Sequence, residues 1–158
     1  MEAKPLKETI KYYKFLGLCI FLLAPSLVYA NMDDPESDDT TFSAALDEIN
    51  NEQWHKAIEI LKSIERDDPQ NADLHNYLGY SYRKRGKIEK ALKHYKKSIE
   101  LNPEHKNAHE YIGEAYLLVN DLESASKHLQ MLKNLCSPTP CEQVVQLEKA
   151  VEEFKKQK

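Results

Sequence analysis

Residues 75–82 read His-Asn-Tyr-Leu-Gly-Tyr-Ser-Tyr, and residues 109–116 read His-Glu-Tyr-Ile-Gly-Glu-Ala-Tyr. The two segments share the histidine, the first tyrosine, the glycine and the last tyrosine, each in the same order and at the same spacing. Over the longer windows 72–105 and 106–139, nine positions are identical. Self-similarity at a period of about 34 residues is typical of a helix–turn–helix repeat.

Small residues follow the same interval. Ala57, Ala91 and Ala125 recur at this period, as do Gly79 and Gly113. A glycine inside a helix costs about 1 kcal/mol relative to alanine. We therefore expect Gly79 and Gly113 to lie where a partner helix approaches closely, with Ala91 and Ala125 opposite. A single hairpin cannot bury its apolar side alone, so the repeats are expected to stack.

Helical periodicity extends from about residue 40 to the end of the chain. It predicts hairpins at 40–51 with 54–67, 72–85 with 88–101, and 106–119 with 122–135, followed by a seventh helix at 140–156. Before that last helix, Thr139-Pro140-Cys141-Glu142 combines a capping-box pattern with proline at the first helical position. The seventh helix is amphipathic and is expected to cover the open end of the stack.

These spacings resemble the tetratricopeptide-repeat family. The residues that carry the resemblance are His75, Leu78, Gly79, Tyr82, Ala91, Tyr95 and Pro103, then His109, Ile112, Gly113, Tyr116, Ala125 and Leu129. Histidine stands where the family usually has tryptophan, and Ser137 replaces the last proline of the second copy. The resemblance implies an all-α, right-handed solenoid over residues 41–156, with repeats at 38–71 (degenerate), 72–105 and 106–139 and the capping helix at 140–156.

The amino terminus is typical of a secretory signal peptide. Lysines outnumber acidic residues before an apolar run at 15–24, and the small residues Val28 and Ala30 fit cleavage between Ala30 and Asn31. We therefore expect 1–30 to be a signal peptide, 31–40 to be an acidic flexible leader, and the mature protein to be periplasmic. A retained membrane anchor, and with it a membrane-bound scaffold, stays open as an alternative.

Charge and cysteine usage narrow the class of protein. The chain has 158 residues, and removing residues 1–30 with their four lysines and two glutamates changes the formal charge from −4 to −6. An acidic protein of this kind is not expected to bind nucleic acid. Cys136 and Cys141 are the cysteines left after cleavage, and an even pair on an exported protein predicts a disulfide. The segment around this pair resembles exported bacterial repeat proteins that end in a cysteine-flanked cap.

The resemblance also implies where a partner would bind. Family members bind peptides and proteins on the concave face, formed by the first helix of each hairpin. The matching residues here are Asn76, Tyr77, Tyr80, Arg83, Lys84, Glu110, Tyr111 and Glu114, with Phe42, Leu46 and Asn107 beside them. Tyrosines offer contact area, and Arg83 and Lys84 are expected to hold an acidic group. The alternative is that Tyr77 and Tyr111 pack between helices.

The residues on this face exclude one specialised type of peptide binding that is known in the family. Some family members bind the terminal carboxylate of chaperones with lysine, asparagine and arginine at five set positions, which here are Phe42, Leu46, Tyr77, Asn107 and Tyr111. Four of the five differ from the required residue, so that function is not carried over. The apolar Phe42 and Leu46 leave open whether the protein self-associates through the first repeat.

Six histidines raise the alternative of a periplasmic metal carrier. His75 and His109 recur at the repeat spacing, as do His94 and His128, and His105 and His109 have the spacing of one helical turn. Duplication of a repeat also duplicates its histidines, so no metal ligands and no cofactor are assigned. The sequence shows no nucleophile–base set, phosphate loop or dinucleotide fingerprint. A non-enzymatic scaffold without a small-molecule substrate is therefore expected.

Overall fold

The computed structural model describes residues 38–157, and all regular secondary structure in that range is helical. The helices are α1 (Asp38–Asn50), α2 (Trp54–Asp67), α3 (Ala72–Lys84), α4 (Ile88–Leu101), α5 (Lys106–Leu118), α6 (Leu122–Leu135) and α7 (Glu142–Lys156). The all-α solenoid fold is confirmed. The predicted signal peptide, the Ala30–Asn31 cleavage site and residues 31–37 of the leader lie outside the described residues.

Helix α1 begins earlier than the sequence predicts. Residues 38–40 belong to its first turn, so this part of the expected flexible leader is helical. Between residues 38 and 157 the chain has no helix with both the length and the apolar character needed to cross a bilayer.

The turn inside each hairpin uses the same backbone conformation. Glu52, Gly86 and Asn120 have φ angles of 58°, 69° and 61°, and they occupy equivalent positions in successive repeats. Glycine adopts this left-handed conformation without strain and asparagine tolerates it, whereas glutamate rarely does. The first repeat is therefore degenerate in sequence but complete in structure.

The apolar side chains form two clusters. The larger joins α1 to α5 and includes Leu61, Leu74, Leu78 and Tyr95, all fully buried. The smaller joins α6 and α7 and includes Leu132 and Leu147. Each cluster draws on consecutive helices, so the hairpins bury their apolar sides by stacking.

The two repeat glycines allow close approach, as predicted, but their nearest neighbours differ from the expected alanines. A Cβ added at Gly79 would lie 2.6 Å from ring carbons of Tyr95, and one added at Gly113 would lie 2.6 Å from a methyl group of Leu147. The bare backbone therefore accepts a large side chain from the facing helix, and Ala91 and Ala125 are not the closest partners.

The capping box predicted before α7 is wrong. The helix begins at Glu142 rather than at residue 140, and its N-cap is Cys141, whose side chain makes no capping hydrogen bond. Cys141 has an extended backbone (φ −86°, ψ 168°), and its carbonyl accepts the N–H groups of Val144 and Val145. Its sulfur lies within bonding distance of the Cys136 sulfur at the end of α6, so the two cysteines are placed for the predicted disulfide.

Candidate interaction face

Alternate helices meet along one side of the stack. Helix α3 contacts α5, and α5 contacts α7. The ring of Phe42 in α1 lies 5.6 Å from that of Tyr77 in α3, and Tyr80 lies 5.2 Å from Tyr111 in α5. We call this side, formed by α1, α3 and α5, the inner face. The structure thus brings most of the predicted binding residues together. Phe42 packs on Tyr77, and self-association through Phe42 and Leu46 stays open.

Arg83 lies on the inner face, where its guanidinium contacts side chains of three helices. Its Nη1 lies 2.8 Å from Oε2 of Glu114, and its Nε donates a hydrogen bond of 3.3 Å to the Tyr95 hydroxyl. The guanidinium carbon lies 5.5 Å and 5.4 Å from the ring centroids of Tyr80 and Tyr111. Only 14% of the Arg83 side chain is exposed. The expectation that Arg83 holds a partner's acidic group is therefore wrong, because an internal carboxylate already occupies it.

Lys84 is exposed, and its role in binding an acidic group stays a prediction. Its ammonium lies 5.8 Å from the ring centroid of Trp54 and 5.4 Å from that of Tyr80, and the two rings meet edge to face at 5.8 Å. A cation over aromatic faces is held by the ring quadrupoles and can still accept an anion from solvent. Trp54, Tyr80 and Lys84 form what we call the Trp54 cluster.

Trp54 was not predicted as a binding residue because it belongs to the second helix of its hairpin. Short turns join α1 to α2 and α2 to α3, so consecutive helices run in opposite directions. The first residue of α2 therefore lies beside the last turn of α3, where Lys84 is found. The signal that could have revealed it is its place as the chain's single tryptophan directly after the first hairpin turn.

Tyr77 and Tyr111 are half-buried and pack against neighbouring helices, as the alternative interpretation predicts, while their role in binding stays a prediction. Tyr77 packs on Phe42, and Tyr111 lies 6.2 Å from Tyr95 as well as against Tyr80. Burial, followed by the nearby Glu110 carboxylate, raises the pKa of Tyr111 to about 12. Both rings thus help to pack the helices and keep an exposed part.

Asn76 cannot contact a partner. Only 1% of the residue is exposed, although its helical position predicts a place on the binding surface. Helix α3 is covered by α2, α4 and α5. More of its circumference is therefore buried than is predicted when a helix is divided into one buried and one exposed side.

Glu110 is buried on the inner face and is expected to make stability depend on pH. Burial, then the neighbouring Glu114 carboxylate, raises the pKa of Glu110 to about 7. The folded state therefore binds more protons than the unfolded state between about pH 4.5 and 7, and stability falls as the pH rises through this window. Glu110→Gln should remove most of this fall and add about 1–2 kcal/mol at pH 8, since solvent reaching the face weakens the effect.

Urea unfolding at pH 5 and pH 8 measures the effect of Glu110→Gln. The exposed Glu152→Gln serves as the control and should follow the wild type at both pH values. If Glu110→Gln loses as much stability between the two pH values as the wild type, the burial of a raised-pKa carboxyl at this position is contradicted.

Comparison with known proteins agrees with this arrangement of helices. Residues 72–105 match the tetratricopeptide repeat. This chain therefore contains a tetratricopeptide repeat. No protein of curated function matches its sequence.

Several solved structures share the fold. PcrH from Pseudomonas aeruginosa, in complex with the chaperone-binding region of PopD, is 18% identical over 77% of this chain and 95% of its own, with a TM-score of 0.68. The Yersinia enterocolitica type III secretion chaperone SycD, in complex with a peptide of the translocator YopD, is 17% identical over 77% and 96%, with a TM-score of 0.68.

The first tetratricopeptide repeat domain of Spaghetti, bound to an HSP90 peptide, is 20% identical over 73% of this chain and 91% of its own, with a TM-score of 0.65. At such identities the likeness concerns the fold alone. It shows that the described helices are stacked as they are in these structures.

This tetratricopeptide-repeat protein has a histidine in the usual tryptophan position of two repeats, and each of these histidines forms a pair. Nδ1 of His75 lies 3.2 Å from Nδ1 of His94, and Nδ1 of His109 lies 2.9 Å from Nδ1 of His128. Burial, and then the partner histidine, lowers the pKa of His94 and of His128 to about 4. His94 and His128 are therefore neutral at pH 7.

The spacing of His105 and His109 does not produce a pair. Nδ1 of His105 accepts the N–H of Ala108 at the start of α5, and its Nε2 lies 3.0 Å from a carboxylate oxygen of Asp73. Both ring nitrogens of His105 thus face groups other than His109. In this tetratricopeptide-repeat protein, the pairs form across a hairpin, between residues 19 positions apart.

Proposed function

We propose that this tetratricopeptide-repeat protein is a non-enzymatic scaffold that binds a peptide segment of another protein on its inner face. The observation that carries the proposal is the Trp54 cluster, in which an exposed ammonium lies over two aromatic rings. Tyr111 packs on Tyr80 of this cluster, and Tyr77 lies on the same face; both rings are half-buried. Aromatic surface next to a single cation suits a segment with apolar side chains and one carboxylate. The peptide complexes of PcrH and SycD, which share the fold, support this function.

Partner capture tests the proposal. Immobilised wild-type protein is used to recover partners from a cell-envelope extract, and the Kd of a recovered partner is then measured for Trp54→Ala and Lys84→Glu. Each change is expected to weaken binding at least about tenfold, or about 1.4 kcal/mol. Lys127→Glu is the control, because Lys127 is exposed on α6, the second helix of its hairpin, and pairs with Glu123.

The outcome is informative only if the variants fold, which the helical circular dichroism signal and the Tm report. Equal recovery by wild type and Lys84→Glu would show that partners bind elsewhere. A loss of the same size in Lys127→Glu would point to long-range charge rather than to the Trp54 cluster.

We further propose that the protein acts in the periplasm, with residues 1–30 removed and Cys136 and Cys141 oxidised. The charge and hydropathy pattern of 1–30 supports export, and the position of the two cysteines on either side of the turn before α7 supports a stable disulfide. Sequencing of the exported protein should begin at Asn31. A sequence that begins at Met1 would instead favour the anchored scaffold.

A further inference from the structure

Three ligand-type atoms from three helices converge between the first and second repeats. They are Oε1 of Glu65 in α2, Nδ1 of His75 in α3 and Nδ1 of His94 in α4. The two nitrogens are 3.2 Å apart, and the carboxylate oxygen lies 3.8 Å and 3.9 Å from them. We propose that Glu65, His75 and His94 bind a divalent transition-metal ion of the zinc class.

The distances fit such an ion. Zinc lies about 2.0–2.2 Å from imidazole nitrogen and carboxylate oxygen, so two ligands of a tetrahedral site are about 3.3–3.5 Å apart. The nitrogen pair is already close to this separation. The oxygen is too far from either nitrogen for a hydrogen bond and is nearly equidistant from both, so a small shift about a common centre completes the triangle.

His75 is oriented as a metal ligand should be. Its Nε2 lies 3.0 Å from the carbonyl oxygen of Pro69. A carbonyl can only accept, so Nε2 carries the proton and Nδ1 presents its lone pair towards His94 and Glu65. A hydrogen bond from the second ring nitrogen to a backbone carbonyl is the usual support of a metal-bound histidine. The tautomer of His75 is thus set without the metal, and in the absence of an ion Nδ1–H of His94 donates to Nδ1 of His75. Metal binding requires His94 to give up that Nδ1 proton and carry its proton on Nε2 instead.

The site is closed on one side and open on the other. The His75 and His94 side chains are 5% and 13% exposed, whereas that of Glu65 is 30% exposed. All three line a pocket of about 460 Å³ whose walls also include Lys93, Lys96, Lys97, Gln70 and Glu100. A tetrahedral ion held by three protein ligands keeps one position for water or another group. The lysines oppose a cation, and the charge of Glu65 is therefore needed for tight binding.

The second repeat provides an internal comparison. His109 and His128 form the same pair, and Nε2 of His109 lies 2.9 Å from the Pro103 carbonyl oxygen. The position that corresponds to Glu65 is Ile99, so this pair lacks the carboxylate. Duplication of the repeat accounts for the histidines, but it does not account for Glu65.

Zinc titration of the purified protein, prepared without a polyhistidine tag, tests the assignment. Calorimetry should show one tight equivalent of Zn²⁺, and bound Co²⁺ should give the visible absorption of a tetrahedral ion. Glu65→Gln should weaken zinc binding at least tenfold, and His94→Ala should abolish it. The His109→Ala, His128→Ala double variant should bind one equivalent with wild-type affinity.

Ile99→Glu adds the missing carboxylate to the His109–His128 pair, so this variant should bind a second tight equivalent of Zn²⁺. Because Ile99 is half-buried, the Ile99→Glu variant could fail to fold. In that case Glu65→Gln alone tests whether the carboxylate is needed for zinc binding. Unchanged zinc affinity in Glu65→Gln overturns the proposal, as does a wild type that binds no zinc or a loss of binding in the His109→Ala, His128→Ala variant. A folded Ile99→Glu variant that still binds one equivalent counts against the carboxylate as the deciding ligand.

Discussion

Replacing Arg83 with methionine is expected to lower the free energy of unfolding by about 3 kcal/mol. The change leaves the Glu114 carboxylate without its 2.8 Å partner and removes the cation that lies against Tyr80 and Tyr111. It also removes the donor to the buried Tyr95 hydroxyl. Urea unfolding followed by circular dichroism in the far ultraviolet measures the loss.

Two variants separate this role from a general effect of charge. Lys84→Met removes an exposed neighbouring cation and should change stability by no more than about 0.5 kcal/mol. Adding Glu114→Gln to Arg83→Met should recover part of the loss, because the uncompensated carboxylate is then gone. If Arg83→Met is as stable as the wild type, the contacts of Arg83 with Glu114 and the tyrosines do not stabilise the fold. A destabilised Arg83 variant would also confuse binding experiments, which is why Lys84 is the better residue to change.

Gly79→Ala is expected to destabilise the fold, although alanine is the better helix former. The new Cβ would lie 2.6 Å from two ring carbons of Tyr95. Tyr95 is fully buried and its hydroxyl is bonded to Arg83, so the rigid ring cannot move aside. Overpacking of this kind costs about 1–3 kcal/mol or more and outweighs the helical preference of about 1 kcal/mol, so we expect a net loss of about 2 kcal/mol. Thermal and urea unfolding measure the difference.

Gly113→Ala is the matched comparison. Its Cβ would be equally close to a neighbour, but the nearest atoms are the terminal methyl groups of Leu147, which can rotate away. We expect a loss below about 1 kcal/mol, partly offset by helix propensity. In a Tyr95→Leu background, Gly79→Ala should lose most of its penalty. An equal loss at both glycines would mean that the rigidity of the facing side chain does not decide the effect.

The helices and their stacking were predictable because they depend on spacing along the chain. The repeat of Ala57, Ala91 and Ala125 and of the two glycines predicted the helical hairpins and the close approach of another helix at each glycine, although not which side chain fills the space. The degenerate first repeat is harder to recognise, since Glu52 occupies a turn position that glycine and asparagine hold in the other two. Capping before α7 was mispredicted because the local pattern placed the N-cap at Thr139, whereas the helix begins at Glu142 with Cys141 as its N-cap.

The binding face was only partly predictable. A helical pattern assigns a residue to a side of its helix, and Tyr80, Lys84 and Tyr111 indeed share the inner face. The helical pattern does not show whether a charged side chain on that side is exposed to solvent or already forms an ion pair within the protein. Arg83 and Lys84 are adjacent in sequence, yet one is bound to Glu114 and the other is exposed. Asn76 is buried for a related reason, because three helices cover α3.

By itself, then, the sequence determined an all-α chain of stacked hairpins and the helices that line its two sides, since periodicity is a property of neighbouring residues. Only the tertiary structure decided which polar groups meet. Glu65, His75 and His94 come together from three helices, and Trp54 reaches Lys84 from the second helix of another hairpin. Charges, hydrogen bonds and metal coordination act over a few ångströms, and those distances arise only when the hairpins are packed.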